Sequence, residues 1–157
     1  MGKCVSKTSV LFVCLGNICR SPLGQGIFED LVKEQDLADK FIVDSCGTGA
    51  WHEGEMPHLG SIEIAKRNGI SIVNQKARQI RKSDFENFDW ILAMDRSNLR
   101  DIKAIAGESR SRIHLLREFD PFIGDLDVPD PYYSGGFEGV FEIVERSCRV
   151  LLDKIME

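Results

Sequence analysis

The chain has 157 residues, 43% apolar and 29% charged, a composition that suits one soluble globular domain rather than a disordered chain. A net charge of −5 argues against a broadly basic nucleic-acid-binding surface, although it leaves room for a local basic pocket that takes a small anion. Apolar runs stop far short of the ~20 residues that span a membrane, and five cysteines, an odd number, suit a reducing compartment better than a disulfide framework. A cytoplasmic protein with no stable membrane insertion is expected.

At the start, Met1-Gly2-Lys3-Cys4-Val5-Ser6 fits the pattern for N-myristoylation at Gly2, with Cys4 available for a second acyl chain. The plainer reading is a flexible leader over 1–8, followed by one domain over 9–157. Residues 10–13 form an apolar run rich in β-formers, as in a strand buried on both faces of a parallel sheet. A helix is predicted over 22–34, with Ser21 as its N-cap and Pro22 as its first residue. Further strands are predicted over 41–43, 90–94 and 113–116, and helices over 57–68 and 97–106. Gly69 and Gly107 serve as the stops of those two helices. The last helix runs from Phe137 to the C-terminus, where Val140, Phe141, Val144, Cys148, Leu151, Leu152 and Ile155 make one apolar stripe. Strand and helix in alternation imply an α/β single domain with a parallel sheet and helices on both faces.

In such folds ligands bind beyond the C-terminal ends of the strands. Cys14 stands there after the first strand, and Arg20 follows six residues later. Between them, Gly16 and Asn17 are the residue types that most readily adopt left-handed backbone. A tight loop of this kind turns its N–H groups inward at a helix N-terminus, a cradle for a tetrahedral oxyanion. The helix end and Arg20 are expected to stabilise a thiolate on Cys14, and the planar fork of Arg20 to grip two phosphate oxygens. Cys14 then attacks phosphorus while the loop holds the equatorial oxygens. The second half of the reaction needs an acid for the leaving group. Asp127-Val-Pro-Asp130-Pro-Tyr-Tyr133 offers Asp130 between two prolines, in what reads as a rigid non-helical loop or, equally, as an ordinary exposed turn.

Cys14-Leu-Gly-Asn-Ile-Cys-Arg-Ser-Pro22, with Asp130-Pro-Tyr-Tyr133 near the C-terminus, resembles the low-molecular-weight protein tyrosine phosphatases. Lys76-Ala-Arg-Gln79 and Met94-Asp-Arg-Ser-Asn-Leu99 extend the resemblance over nearly the whole chain from Val10 onward. It implies a four-stranded, flavodoxin-like doubly wound sheet and metal-free, cofactor-free hydrolysis of phosphotyrosine in proteins, and of small aryl phosphates, through a cysteinyl-phosphate. Carried over by position, Cys14 is the nucleophile, Arg20 the phosphate clamp and Asp130 the general acid and then base. Leu15, Gly16, Asn17, Ile18, Cys19 and Ser21 complete the phosphate-binding loop. Asn17 holds the loop in shape and Ser21 bonds the Cys14 sulfur. Cys19 is implied as a redox partner that forms a disulfide with Cys14. Trp51, Tyr132 and Tyr133, with Leu15 and Ile18, are implied to line a slot for the aromatic ring. Relatives that act on phosphoarginine carry threonine at Ile18, so the apolar residue here favours phosphotyrosine. Some members have histidine where this chain has Gln75; a network of Ser45, Asn17 and Gln75 is expected to persist.

A rival on the same scaffold is an arsenate reductase, which needs cysteines that relay a disulfide. Outside the loop, Cys4, Cys46 and Cys148 form no close pair in the sequence, and Cys148 lies on the apolar stripe. His52, His58 and His114 lack metal-ligand spacing and read as surface or packing residues, and no metal is expected. A monomer that binds phosphotyrosine-containing proteins is the expectation.

Overall fold

The computed structural model describes residues 7–122 and 124–157. Positions 1–6, including Gly2 and Cys4 of the expected leader, lie outside the described residues. Four strands, β1 (Thr8–Cys14), β2 (Phe41–Gly47), β3 (Trp90–Ala93) and β4 (Arg112–Leu115), form a parallel sheet in the order β2-β1-β3-β4. The α-helices among the described residues are α1 (Arg20–Glu34), α2 (Leu59–Arg67), α3 (Asp84–Asn87), α4 (Arg96–Ala106), α5 (Pro131–Ser134) and α6 (Phe137–Ile155). Short 3₁₀ turns occupy Ala38–Lys40 and Leu116–Phe119.

Alternation along the strands builds two cores. On one face Val10, Phe12 and Cys14 of β1 join Trp90 and Leu92 of β3 against Leu23, Ile27 and Phe28 of α1 and the apolar stripe of α6. On the other face Leu11, Val13, Ile91 and Ala93 meet Phe85 of α3 and Ile102 and Ala106 of α4. The central strands are buried on both sides, which is why they read as unbroken apolar runs.

β1 pairs with β2 through Val13 and Cys46 and with β3 through Val13 and Ala93. The chain therefore reverses its winding direction at β1, and the crevice opens at the C-terminal end of that strand, where Cys14 lies. Asp120, its side chain only 1% exposed, ties the turn after β4 to α6. Its carboxylate accepts from Arg117 at 3.0 Å and from Arg146 at 2.7 Å.

Several boundaries differ from expectation. Helix α1 begins at Arg20, with Cys19 rather than Ser21 at the N-cap. Ser21 does not cap because its hydroxyl is turned to the Cys14 sulfur; Pro22 still falls in the first turn, where its missing N–H costs no helix bond. Asp130-Pro-Tyr-Tyr is no non-helical loop: Asp130 caps α5, accepting from the Tyr132 N–H at 3.0 Å, with Pro131 in the first turn. Gly69 and Gly107 take the positive φ, +77° and +59°, that ends their helices.

Candidate active site

Five residues, Leu15 to Cys19, connect the end of β1 to the first turn of α1, and the surrounding chain fixes their shape. The carbonyls of Cys14 and Leu15 accept from the N–H groups of Thr48 and Gly49, both at 2.9 Å. Those of Ile18 and Cys19 accept from the His58 N–H at 2.7 Å and from the Ser61 hydroxyl at 3.0 Å. A planar peptide points its N–H opposite its carbonyl. With these carbonyls held outward, the N–H groups of Leu15, Gly16, Cys19 and Arg20 face the cavity. The loop approaches Gly47 so closely that a Cβ there would lie 2.6 Å from the Leu15 oxygen. Of the two loop residues expected to adopt left-handed backbone, Asn17 does so, at φ +57°, and Gly16 does not. Gly16 is small for a different reason: a side chain would press on the His52 ring.

Asn17 is buried and saturated. Its amide donates to Ser21 Oγ at 2.8 Å and Ser45 Oγ at 3.0 Å, and its oxygen accepts from the Arg78 N–H at 3.0 Å. Ser45 in turn donates to Gln25 Oε1 at 2.7 Å. The expected Ser45–Asn17–Gln75 network is therefore corrected. Gln25, one helical turn behind the loop, takes the place beside Ser45, and Gln75 donates instead to the Pro22 carbonyl at 3.1 Å. Arg78 is clamped by Asp44 and Asp84 at 3.0 Å each, which keeps it firmly charged despite burial.

Cys14 Sγ lies 3.0 Å from Ser21 Oγ and accepts from the Asn17 N–H at 3.3 Å. Because Asn17 donates into the Ser21 oxygen, the single hydroxyl hydrogen of Ser21 is left for the two acceptors in its reach, the Cys14 sulfur at 3.0 Å and the Cys46 carbonyl at 3.3 Å. Arg20, 2% exposed, donates through Nη1 to Asp95 Oδ2 and to the Val128 carbonyl, both at 2.8 Å. Burial works against its cation, but Cys14 and Asp95 override burial and strengthen the charge. The Val128 N–H is itself bonded to the Met94 carbonyl at 2.8 Å, so the Pro-rich segment is anchored to the end of β3. That anchor brings Asp130 Oδ2 to 3.6 Å from Arg20 Nη2.

A cavity of about 240 Å³ opens over the loop, lined by Cys14, Leu15, Ile18, Cys19, Arg20 and Asp130 at its base and sides. Trp51, His52, Tyr132 and Tyr133 form its upper wall. Trp51 and Tyr133 are largely exposed, at 71% and 80%, so they make a rim rather than a core. Tyr132 packs between His58, 5.9 Å away, and Tyr133, 5.0 Å away. The cavity thus gathers every residue singled out in the loop and slot except the two buried behind it, Asn17 and Ser21.

Three contributors were not foreseen. Asp95 stood inside a quoted motif without a role; an aspartate capping a helix directly after a sheet strand was the available signal. His52 was read as surface or packing, yet it lines the cavity, with Nδ1 3.1 Å from Glu55. The Val128 carbonyl has no side-chain signature at all. Cys46 and Cys148 are fully buried in opposite cores, and burial drives both thiols well above their ordinary range, so among the described residues no pair outside the loop can relay a disulfide. Among the described residues no cluster of His, Cys, Asp and Glu forms a metal-ligand set, and no helix is long and apolar enough to cross a membrane.

Known proteins are similar to this chain in sequence and fold. The family model of the low molecular weight phosphotyrosine protein phosphatases matches residues 9–157. The chain is 45% identical over 150 residues to the low molecular weight protein-tyrosine-phosphatase YfkJ of Bacillus subtilis, covering 95% of this chain and 96% of that one. The crystal structure of YfkJ superposes with a TM-score of 0.93 over 96% of both chains. The low molecular weight phosphotyrosine protein phosphatase of Homo sapiens is 42% identical over 151 residues, 93% of this chain and 94% of that one. A protein tyrosine phosphatase from Entamoeba histolytica, crystallised with Hepes in the active site, is 37% identical with a TM-score of 0.91, over 96% of this chain and 97% of that one. With this likeness sustained from the first strand to the last helix, the chain belongs to the low molecular weight phosphotyrosine protein phosphatase family and is a low molecular weight protein tyrosine phosphatase.

Proposed function

We propose that the protein hydrolyses phosphotyrosine in proteins, and small aryl phosphates, without a metal, by a two-step transfer through Cys14. The observation that carries this reading is the sulfur itself, held at 3.0 Å by Ser21 and 3.3 Å by the Asn17 N–H on the floor of a cavity walled by Arg20 and Asp130. The thiolate of Cys14 attacks phosphorus and the bond to the tyrosine oxygen breaks. Asp130 gives that oxygen a proton, so tyrosine leaves neutral. Arg20 and the inward N–H groups of the loop bind the equatorial oxygens as charge spreads over them. Water then attacks the cysteinyl-phosphate, Asp130 takes its proton, and Cys14 departs as a thiolate that Ser21 stabilises. Inorganic phosphate is released.

The apolar Ile18 and the aromatic rim suit the face of a phenyl ring, and Ile18 offers no acceptor to the N–H groups of a phosphoguanidinium. Cys19 serves as a resolving thiol. Burial, with Cys14 and Asp130 adding to it, pushes its thiol up to about 12, so it stays protonated and unreactive towards oxidants. Peroxide oxidises Cys14 to the sulfenic acid; Cys19 Sγ then attacks that sulfur, the S–O bond breaks, the Cys19 proton leaves with the hydroxyl as water, and the disulfide forms.

The deciding experiment is phosphate release from a phosphotyrosine peptide in EDTA under reducing conditions, with wild type and Cys14→Ser side by side. Turnover by wild type and none by the variant is expected. A folded, reduced wild type without turnover overturns the reading.

A further inference from the structure

A second groove, of about 320 Å³, adjoins the active-site cavity and shares two of its walls, Leu15 and Trp51. Its floor is the loop after β2: the Trp51 ring lies so close over Gly49 that any side chain there would collide with it. The hydroxyl oxygen of Thr48, at the same wall, has no hydrogen-bond partner among the described residues. The far wall is one face of α4, where Asp101, Ala104 and Ile105 stand three and four residues apart. Asp101 is the one ionisable side chain lining the groove; the other side chains that line it, Thr48 apart, are apolar.

We propose that this groove reads the substrate: it takes the side chain next to the phosphotyrosine of a bound protein and selects lysine or arginine there. The proposal rests on the assignment of the adjoining cavity to the phosphotyrosine ring. A chain that fills that cavity and crosses the ridge of Leu15 and Trp51 delivers its neighbouring residue to the groove. Lysine and arginine match its two halves. Their aliphatic stems lie along Leu15, Ile105 and the exposed Trp51 ring, and their charged heads reach Asp101. A short apolar side chain leaves Asp101 unanswered, and a glutamate is repelled by it. The net charge of −5 works in the same direction at longer range.

The test uses phosphotyrosine hexapeptides, alanine elsewhere, with lysine, alanine or glutamate immediately before or after the phosphotyrosine. Wild type, Asp101→Asn and Asp101→Lys are compared, with p-nitrophenyl phosphate, too small to reach the groove, in parallel. Wild type is expected to turn over a lysine peptide with kcat/KM about 5-fold above its glutamate counterpart, the scale of an exposed ion pair. The difference shrinks as salt rises, vanishes in Asp101→Asn and reverses in Asp101→Lys, while p-nitrophenyl phosphate turnover stays within about twofold. Ile105→Glu, on the same face, gives an independent arm and deepens the lysine preference. Equal rates for all flanks in wild type, or a preference that survives in Asp101→Asn, overturn the proposal. Loss of p-nitrophenyl phosphate turnover in wild type instead overturns the catalytic reading, and the subsite falls with it.

Discussion

Asp95 uses its two carboxylate oxygens for two tasks: Oδ1 accepts the Asn98 N–H at 2.7 Å and starts α4, while Oδ2 holds Arg20 at 2.8 Å. The guanidinium is therefore aimed by a helix cap on the neighbouring strand. Asp95→Asn keeps an oxygen for the cap and loses the charged bond to Arg20. We expect kcat/KM for aryl phosphate to fall about 10–100-fold, the usual cost of a misplaced catalytic group. Thermal unfolding moves little. Initial rates and a melting curve on the same preparation separate the two effects.

On the proposed mechanism, Asp130 matters in proportion to how badly the leaving group needs a proton. Asp130→Asn is expected to slow phosphotyrosine peptide turnover about 10²–10⁴-fold. A nitrophenyl ester, whose phenolate leaves unaided, loses much less. A series of aryl phosphates ordered by leaving-group acidity checks this: a steep dependence in the variant and a shallow one in wild type is the expected pair of slopes.

Asn17 combines a left-handed backbone, φ +57°, with a saturated buried amide. Substitution separates the two. Asn17→Gly keeps the backbone and strips the network, so Ser21, Ser45 and the Arg78 N–H each lose a partner. Asn17→Ala adds the backbone strain, about 1–2 kcal/mol more. Urea titrations should rank wild type above Asn17→Gly and Asn17→Gly above Asn17→Ala.

Stability at low pH turns on Asp120. Burial opposes its ionised form, but bonds from Arg146, the Phe122 N–H and Arg117 override burial and hold it at about 2. A carboxylate depressed on folding, from an unfolded value near 3.9, contributes in full above about pH 4. That contribution, about 2 kcal/mol, is lost as pH falls from about 4 to 2. Asp120→Asn should be less stable at neutral pH and show a flatter decline through that window. Denaturant midpoints measured from pH 2 to pH 7 for both proteins report it.

Oxidation provides a further check. Mild peroxide followed by a thiol reductant should restore activity to wild type. Cys19→Ser, deprived of its resolving sulfur, should recover less after the same exposure, and peptide mapping should find a Cys14–Cys19 bridge in wild type alone. A wild type without that bridge removes Cys19 from the scheme.

The sheet was legible because the centres of β1 and β3 are buried on both faces and filled by apolar residues; Val10 to Val13 and Trp90 to Ala93 announce themselves. The single turns α3 and α5 are too short for a helical period to emerge. The loop was legible for its place in the fold and misjudged in its mechanics. Ser21-Pro22 has the composition of a helix start, yet tertiary contact with Cys14 took the serine away. Gln25 and Gln75 have the same side chain, and only the three-dimensional path of α1 decides which of them meets Ser45. The Val128 carbonyl belongs to the backbone, which no residue type betrays.

The braces on the outer side of the loop have a final consequence. Thr48, Gly49, His58 and Ser61 hold its carbonyls whether or not anything lies within. The cradle is a standing receptor, rigid before substrate arrives, and it responds to tetrahedral charge rather than to tyrosine. On the proposed mechanism free inorganic phosphate, the reaction's own product, competes for it. The enzyme's working rate is thereby tied to the phosphate level of its surroundings, and any buffer carrying phosphate or sulfate will make it look slower than it is.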